Sequence, residues 1–183
     1  MLIAVVGPSG AGKDTLMAAT RAALTQDSRF RFVRRAITRP ADAGGEDHEA
    51  LTEAAFAERR AAGGFALAWE AHGLRYGIPR DIEADMATRR VVIANLSRAA
   101  LPEAGARYRL RVLNITAPIE LLAARLAMRG RESAADIAAR LAREVALPDG
   151  LDIERVINDA DVAEGVARVL AVLNRAASDA QGS

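Results

Sequence analysis

The chain has 183 residues, of which 51% are hydrophobic and 27% are charged, enough for one compact domain with a sizeable core. Its 25 basic and 24 acidic residues leave a net charge of +1, so composition gives no reason to expect a nucleic-acid or membrane partner. The absence of cysteine excludes disulfides, thiolate catalysis and cysteine-ligated zinc. Since no apolar run approaches the roughly 20 residues of a membrane span, we expect a cytoplasmic protein.

In chain order, the predicted elements alternate between strands and helices. Strands are predicted at residues 2–6, 31–37, 65–72, 90–97, 108–116 and 155–159, and helices at residues 13–24, 52–62, 79–89, 118–128, 133–144 and 161–177. Several strand segments are continuous apolar runs, typical of strands that are buried on both faces. The alternation predicts an α/β fold with a parallel sheet flanked by helices on both faces. A polar tail at 178–183 is expected to be disordered.

The segment GPSGAGKDT, at residues 7–15, contains a phosphate-binding motif. Its first seven residues match G-x-x-x-x-G-K between a predicted strand and a predicted helix: Gly7, Pro8, Ser9, Gly10, Ala11, Gly12 and Lys13. In that context backbone N–H groups and the helix N-terminus bind phosphates, and the lysine reaches the β and γ phosphates of ATP. Lys13 is the sole lysine beside 24 arginines, which suggests a role that a guanidinium cannot fill. The alternative is a glycine-rich turn without a ligand.

Asp14 follows the lysine, where serine or threonine usually supplies a hydroxyl to Mg²⁺. A carboxylate is also a good magnesium ligand, so we predict that Asp14 binds the metal directly or through water, with Thr15 as the second candidate. The alternative is that Asp14 only stabilises the N-terminus of the following helix.

Arginines are further candidates, because phosphoryl transfer between two polyanions requires positive charge. Three groups stand out: Arg34, Arg35 and Arg39; Arg125, Arg129 and Arg131; and Arg140 and Arg143. The last two groups flank RGRES, a break between helices that resembles a mobile lid. Solvated surface charge is the alternative for each. For His72 a structural hydrogen bond and a catalytic base are both open, and Trp69 is expected in the core.

Segments over nearly the whole chain resemble the guanylate-kinase superfamily in order and spacing. They are GPSGAGKDTL, RAITRP, AWEAHGLRYGIP, VVIANLSR, RLAMRGRE, IAARLARE and VINDADV. Within the superfamily, GKD, AHGLRYGIP and NLSR are most similar to the ribose 1,5-bisphosphate phosphokinases. The resemblance implies a P-loop NTPase fold in one domain at 1–177, with an acceptor-binding region at about 34–80 and a helical lid at about 125–143. It also implies ATP and Mg²⁺, a phosphosugar acceptor and a place in phosphonate degradation.

The departures from guanylate kinases concern the acceptor. Arg39 matches the first phosphate-contacting arginine of that family's TTRxPR motif, whereas the second arginine falls near Asp42. Tyr76 matches one phosphate-contacting tyrosine, and the other has no counterpart. Leu67 stands where the family has a guanine-reading glutamate, and VVIANLS lacks the guanine-reading aspartate. Since a guanine edge without polar partners binds poorly, these differences favour a phosphorylated sugar.

Together with these differences, the resemblance implies a kinase that makes 5-phospho-α-D-ribose 1-diphosphate from ribose 1,5-bisphosphate and ATP. Lys13 and the loop are predicted to bind ATP, with Asn158 near the adenine by analogy with the family. The acceptor is predicted to contact Arg35, Arg39 and Tyr76. The transferred group is predicted to contact Arg125, Arg129 and Arg140, helped by Arg131. No general base is required, because a phosphate monoester with a second pKa of about 6 is already anionic. The alternatives are a guanylate or other nucleoside monophosphate kinase, and a non-catalytic nucleotide-binding scaffold. A homodimer is compatible with the sequence.

Overall fold

The computed structural model describes residues 1–41, 46–127 and 147–182. The strands in these ranges are β1 Leu2–Val6, β2 Phe30–Phe32, β3 Ala36–Ile37, β4 Glu49–Ala50, β5 Phe65–Ala71, β6 Leu74–Pro79, β7 Val91–Asn95, β8 Leu110–Thr116 and β9 Asp152–Ile157. The α-helices are α1 Lys13–Ala23, α2 Glu53–Ala61, α3 Ile82–Ala87, α4 Leu101–Arg107, α5 Ile119–Ala127 and α6 Val162–Gln181. A 3₁₀ turn, Arg98–Ala100, precedes α4.

The main sheet has the order β2-β7-β1-β8-β9, and all its neighbouring strands are parallel. Its central strand β1 is buried on both faces, because Ile3 and Val5 pack with α1 and α6 while Leu2 and Ala4 pack toward α4 and the β5–β6 pair. This confirms the predicted α/β fold and parallel sheet. The carboxyl ends of β1 and β7 are neighbours, and the crevice at such ends is the usual ligand site of an open parallel sheet.

A second sheet, in the order β4-β3-β6-β5, stands beside this crevice. The prediction of one strand at 31–37 was wrong, because Phe30–Phe32 joins the main sheet while Ala36–Ile37 pairs with β4 and β6. The segment GLRYGIP, predicted as a loop, forms strand β6 antiparallel to β5. The two-residue turn between them has positive φ at both His72 (52°) and Gly73 (72°), the backbone that the right-handed twist of a hairpin favours.

The C-terminal helix extends further than the sequence predicted. Residues 178–181, expected to be disordered, complete α6, and Gly182 donates its backbone N–H to Ser178 O at 3.1 Å. The apolar spacing continues through Ala176, Ala177 and Ala180, all of which are buried in the core, and this burial fixes the last turn. The predicted helix at 133–144 lies outside the described residues. Within the described ranges, the model has no helix long and apolar enough to cross a membrane.

Candidate active site

The phosphate loop occupies the crevice between β1 and α1, and its glycines are required by the backbone. Gly7 and Gly12 have φ values of 148° and 78°, which side chains rarely adopt. A Cβ on Gly7 would lie 1.9 Å from Ile115 O, and one on Gly12 would lie 2.5 Å from Asn158 Nδ2. The loop therefore packs against both β8 and the segment after β9, as its motif predicts for a rigid phosphate cradle.

Lys13 begins helix α1 and folds back over the loop. Its Nζ donates to Gly7 O at 3.0 Å and to Pro8 O at 3.2 Å. These bonds hold the ammonium beside the backbone that would surround a bound phosphate, and phosphate oxygens are stronger acceptors for it than neutral carbonyls.

Asn158 supports the loop from behind. Its buried side chain donates Nδ2–H to Ala11 O at 2.8 Å, and its backbone N–H donates to Thr116 O at 2.7 Å. Arg125, in the last turn of α5, donates Nη1–H to Asn158 O at 3.3 Å. Asn158 was predicted near the adenine and Arg125 beside the transferred group, and both roles stay predictions. The contact that the structure adds is the bond from Asn158 to the loop backbone.

The second sheet supplies a wall of aromatic and guanidinium groups facing the loop. Trp69 on β5 and Tyr76 on β6 stack with ring centroids 5.4 Å apart and planes 7° apart. The Arg35 guanidinium lies 5.0 Å from the Tyr76 centroid and 5.8 Å from that of Trp69. Trp69 belongs to the core, as expected, and also lines the cavity described below. The stack gives Arg35 a fixed orientation.

Arg39 is held by a buried histidine that the sequence analysis did not select. The His48 ring approaches Arg39 O through Nε2 at 3.1 Å, and its Nδ1 lies 3.0 Å from Glu46 O and 3.3 Å from Arg39 Nη2. Within the described part of the chain, the buried Arg39 Nε has no hydrogen-bond partner, and the Arg39 side chain lines the cavity described below. By contrast, Arg34 pairs with Asp47 at 2.9 Å on the surface, in agreement with the surface-charge alternative.

Glu46 connects the two sheets at the base of this wall. Its Oε1 accepts from Arg35 Nε at 2.6 Å, and its Oε2 accepts from Asn95 Nδ2 at the carboxyl end of β7. The sequence analysis missed both Glu46 and Asn95. Asn95 ends a buried strand at the ligand edge of the sheet, which is the signal that could have found it.

These groups enclose one cavity of about 830 Å³. Its lining includes the loop residues Gly7, Pro8 and Ser9 together with Lys13 and Asp14, and on the opposite side Arg35, Arg39 and Tyr76. His72, Ser97 and Arg98 also line it. The structure thus brings five of the predicted ATP residues and the three predicted acceptor residues to one space. The other predicted residues that the structure describes are not in the cavity lining: Gly10, Ala11, Gly12, Thr15, Arg125 and Asn158. Arg129, Arg131, Arg140 and Arg143 lie outside the described residues.

Asp14 is the carboxylate nearest in sequence to the loop and lines the cavity from the exposed first turn of α1. Among the described residues, no group of three or more His, Asp and Glu side chains could hold a metal by itself. A carboxylate beside a phosphate loop is compatible with Mg²⁺, which proteins often bind through one or two carboxylates and the substrate's phosphates. A metal at Asp14 would therefore arrive with the nucleotide.

No protein-family model matches the chain, but curated proteins do. The chain is 54% identical over 162 residues to the ribose 1,5-bisphosphate phosphokinase PhnN of Brucella melitensis, covering 87% of this chain and 84% of the relative. It is 45% identical over 182 residues to the protein of that name from Agrobacterium fabrum, covering 98% of this chain and all of the relative. With the Azorhizobium caulinodans bifunctional ribose 1,5-bisphosphokinase-thymidine phosphorylase it shares 51% identity, over 92% of this chain and 25% of that protein.

Solved structures confirm the fold. A guanylate kinase from Anaplasma phagocytophilum matches with a TM-score of 0.66 and 19% sequence identity, over 96% of this chain and 84% of that one. At this identity the likeness concerns the fold alone, which is that of a P-loop kinase. Sequence identity of about half over most of the chain is more specific, and it shows that this chain belongs to the ribose 1,5-bisphosphate phosphokinase family.

Proposed function

We propose that this chain transfers the γ-phosphoryl group of ATP to the 1-phosphate of ribose 1,5-bisphosphate, forming 5-phospho-α-D-ribose 1-diphosphate and ADP. The observation that carries the proposal is the single cavity of about 830 Å³ whose lining includes both the phosphate loop and the Arg35–Arg39–Tyr76 wall. Transfer from ATP to a phosphate acceptor needs two anionic substrates side by side, and this cavity has cationic groups beside the loop and in the facing wall. The names of the relatives supply the acceptor's identity.

The reaction requires positioning and charge more than proton transfer. An oxygen of the 1-phosphate attacks the γ-phosphorus, the bond from that phosphorus to the β–γ bridging oxygen breaks, and ADP leaves with the electron pair. Because the attacking phosphate, with a second pKa of about 6, is ionised at neutral pH, no residue has to remove a proton. What the protein must supply is electrostatic stabilisation of the transferring group.

Position in the cavity supports the proposed roles of Lys13, Asp14, Arg39 and Tyr76, and the other roles rest on the sequence resemblance. Lys13 and the loop backbone hold the β and γ phosphates, and Arg39 and Tyr76 hold the acceptor's 1-phosphate. Asp14, with Thr15 as the second candidate, holds Mg²⁺, which when bound neutralises phosphate charge. Arg125, Arg129 and Arg140 remain the proposed residues that close over the transferred group.

Guanylate kinase activity is the second candidate, because Glu46 offers a carboxylate inside the cavity to which a guanine edge could donate. Two observations argue against it. Leu67, at the position of the family's guanine-reading glutamate, is buried in the core. Asn95 is already bonded to Glu46, so the carboxylate shares its acceptor capacity with the protein.

The test is to incubate the protein with Mg·ATP and either ribose 1,5-bisphosphate or GMP, follow ADP release, and identify the product by ³¹P NMR. We expect turnover with the sugar bisphosphate and a new diphosphate signal, with neither for a Lys13→Ala variant. Turnover with GMP alone would establish a guanylate kinase instead. Failure to turn over either acceptor would favour a nucleotide-binding scaffold.

A further inference from the structure

Glu46 is a carboxylate inside a cavity that is otherwise suited to phosphates. Its side chain is 17% exposed; the residue is held by two contacts to the side chain and one to the backbone. Arg35 donates to Oε1, Asn95 donates to Oε2, and the backbone carbonyl of Glu46 is 3.0 Å from His48 Nδ1. A side chain held this firmly has a defined position relative to any ligand.

A negative charge at this place opposes the binding of a bisphosphate unless it meets hydrogen-bond donors. The phosphates of the acceptor offer only acceptors at neutral pH, so they cannot be the partners of Glu46. An ionised carboxylate has about four lone-pair directions, and the bonds from Arg35 and Asn95 leave part of them directed to the cavity that Glu46 lines. The remaining polar groups of the proposed acceptor are the ring hydroxyls at C2 and C3, which can donate.

The surroundings of Glu46 also suit a sugar ring. Glu46 and Asn95 line the main cavity and, together with Asp14, a second cavity of about 460 Å³ that adjoins it. The second cavity has apolar walls from Met17 and Ile93 among others, which can face ring carbons. Glu46 thus lies between the Arg35–Arg39–Tyr76 wall, which is proposed to bind phosphate, and the second cavity, whose lining is partly polar and partly apolar.

We infer that Glu46, supported by Asn95, accepts hydrogen bonds from the 2- and 3-hydroxyl groups of the acceptor's ribose and makes the enzyme selective for ribosyl over 2-deoxyribosyl bisphosphates. This inference rests on the proposed function. It also changes the role of Arg35: the guanidinium, neutralised by Glu46 and stacked on Tyr76, positions the carboxylate rather than serving mainly as a phosphate ligand.

The test compares kcat/KM for ribose 1,5-bisphosphate and for 2-deoxyribose 1,5-bisphosphate in the wild type, in Glu46→Gln and in Glu49→Gln. Glu49 is the matched control, because it lies on β4, pairs with Arg59 Nη1 at 2.8 Å and does not line the cavity. We expect the wild type and the Glu49→Gln variant to prefer the ribosyl substrate by about 10- to 100-fold, the worth of a hydrogen bond to a charged group. Glu46→Gln should lose most of that preference.

The ratio of the two substrates separates the alternatives. Partial misfolding of a variant lowers the active concentration for both substrates equally and leaves the ratio unchanged, as does a purely structural role of Glu46 in orienting Arg35. An unchanged ratio in Glu46→Gln, or a wild type without preference, overturns the inference while the proposed function stands. If the wild type turns over no ribose 1,5-bisphosphate, the proposed function itself fails.

Discussion

Lys13 and Asp14 are adjacent in the sequence but have different surroundings in the site. The Lys13 ammonium bonds to the carbonyls of Gly7 and Pro8, whereas the exposed carboxylate of Asp14 lines both neighbouring cavities. Helix α1 has Gly12 as its N-cap, without a side-chain cap hydrogen bond. Asp14 lies in the first turn of α1, where its charge favours the helix N-terminus, and it lines the cavity in which a nucleotide-bound metal would lie.

Replacing Asp14 with Asn tests the metal role without changing the size of the side chain. We expect the Mg²⁺ concentration for half-maximal activity to rise about tenfold or more, since even an outer contact to a metal ligand is worth about that much in metal affinity. The measurement is ADP release as a function of free Mg²⁺ at fixed ATP. Thr15→Val is the comparison variant. A magnesium dependence unchanged in Asp14→Asn and shifted in Thr15→Val would move the role to Thr15.

Whether a site residue could be predicted from the sequence depends on whether a local sequence pattern marks it. The position of Lys13 could be predicted because the loop motif fixes the backbone around it, and the positions of Arg39 and Tyr76 because family segments align with them; the roles of all three, like that of Asp14, stay predictions. Glu46 could not be predicted, because its importance comes from a contact across sheets, and His48 could not, because its partners Arg39 and Glu46 lie outside the regular strands. The bond from Asn95 to Glu46 spans 49 positions in the chain, and no local pattern reveals such a pairing.

Among the secondary-structure elements, the β5–β6 hairpin is where prediction and structure differ most. The segment GLRYGIP has two glycines and a proline, which favour a loop. In the structure Gly73 serves the turn and Gly77 lies against the Phe65 ring, where a Cβ would approach Cε1 to 2.5 Å. Gly73 thus forms the turn of the hairpin, and Gly77 allows the close contact between its strands. Composition alone cannot tell glycines in these two roles from glycines in a loop.

The packing of α1 on α6 fixes the helix that follows the phosphate loop. Gly165 is the point of closest approach, since a Cβ there would lie 2.7 Å from Leu16 Cδ2 and 3.2 Å from Asn158 Oδ1. We expect Gly165→Leu to lower the free energy of unfolding by about 1–3 kcal/mol, the usual cost of overpacking. The control variant Ala163→Leu, at an exposed position of α6, should change the free energy of unfolding by less than about 0.5 kcal/mol. Urea denaturation of both variants measures the difference, and equal stabilities would contradict close packing at Gly165.

At the scale of the whole molecule, the parallel sheet could be predicted from its apolar runs, and with it the edge at which the loop lies. The central strand β1 extends from Met1 at one end of the sheet to the phosphate loop at the other. The α-amino group and Lys13 are therefore separated by at least the length of this strand, which rises about 3.3 Å per residue. Since Lys13 is the only lysine, the chain has two amines, one at each end of β1.

This arrangement allows ATP binding to be measured at a single side chain. We expect ATP to slow the acylation of Lys13 by an amine-reactive ester about a hundredfold at a concentration of about 100 times Kd, because only the free fraction reacts. Met1 provides the internal control. Its amine donates to Arg90 O at 3.3 Å, and burial, with the nearby Arg109 charge, lowers its pKa, so a larger share of this amine is unprotonated at neutral pH. Peptide mass mapping quantifies both sites. ATP protection of both amines to the same extent, or of neither, would contradict a phosphate site at Lys13.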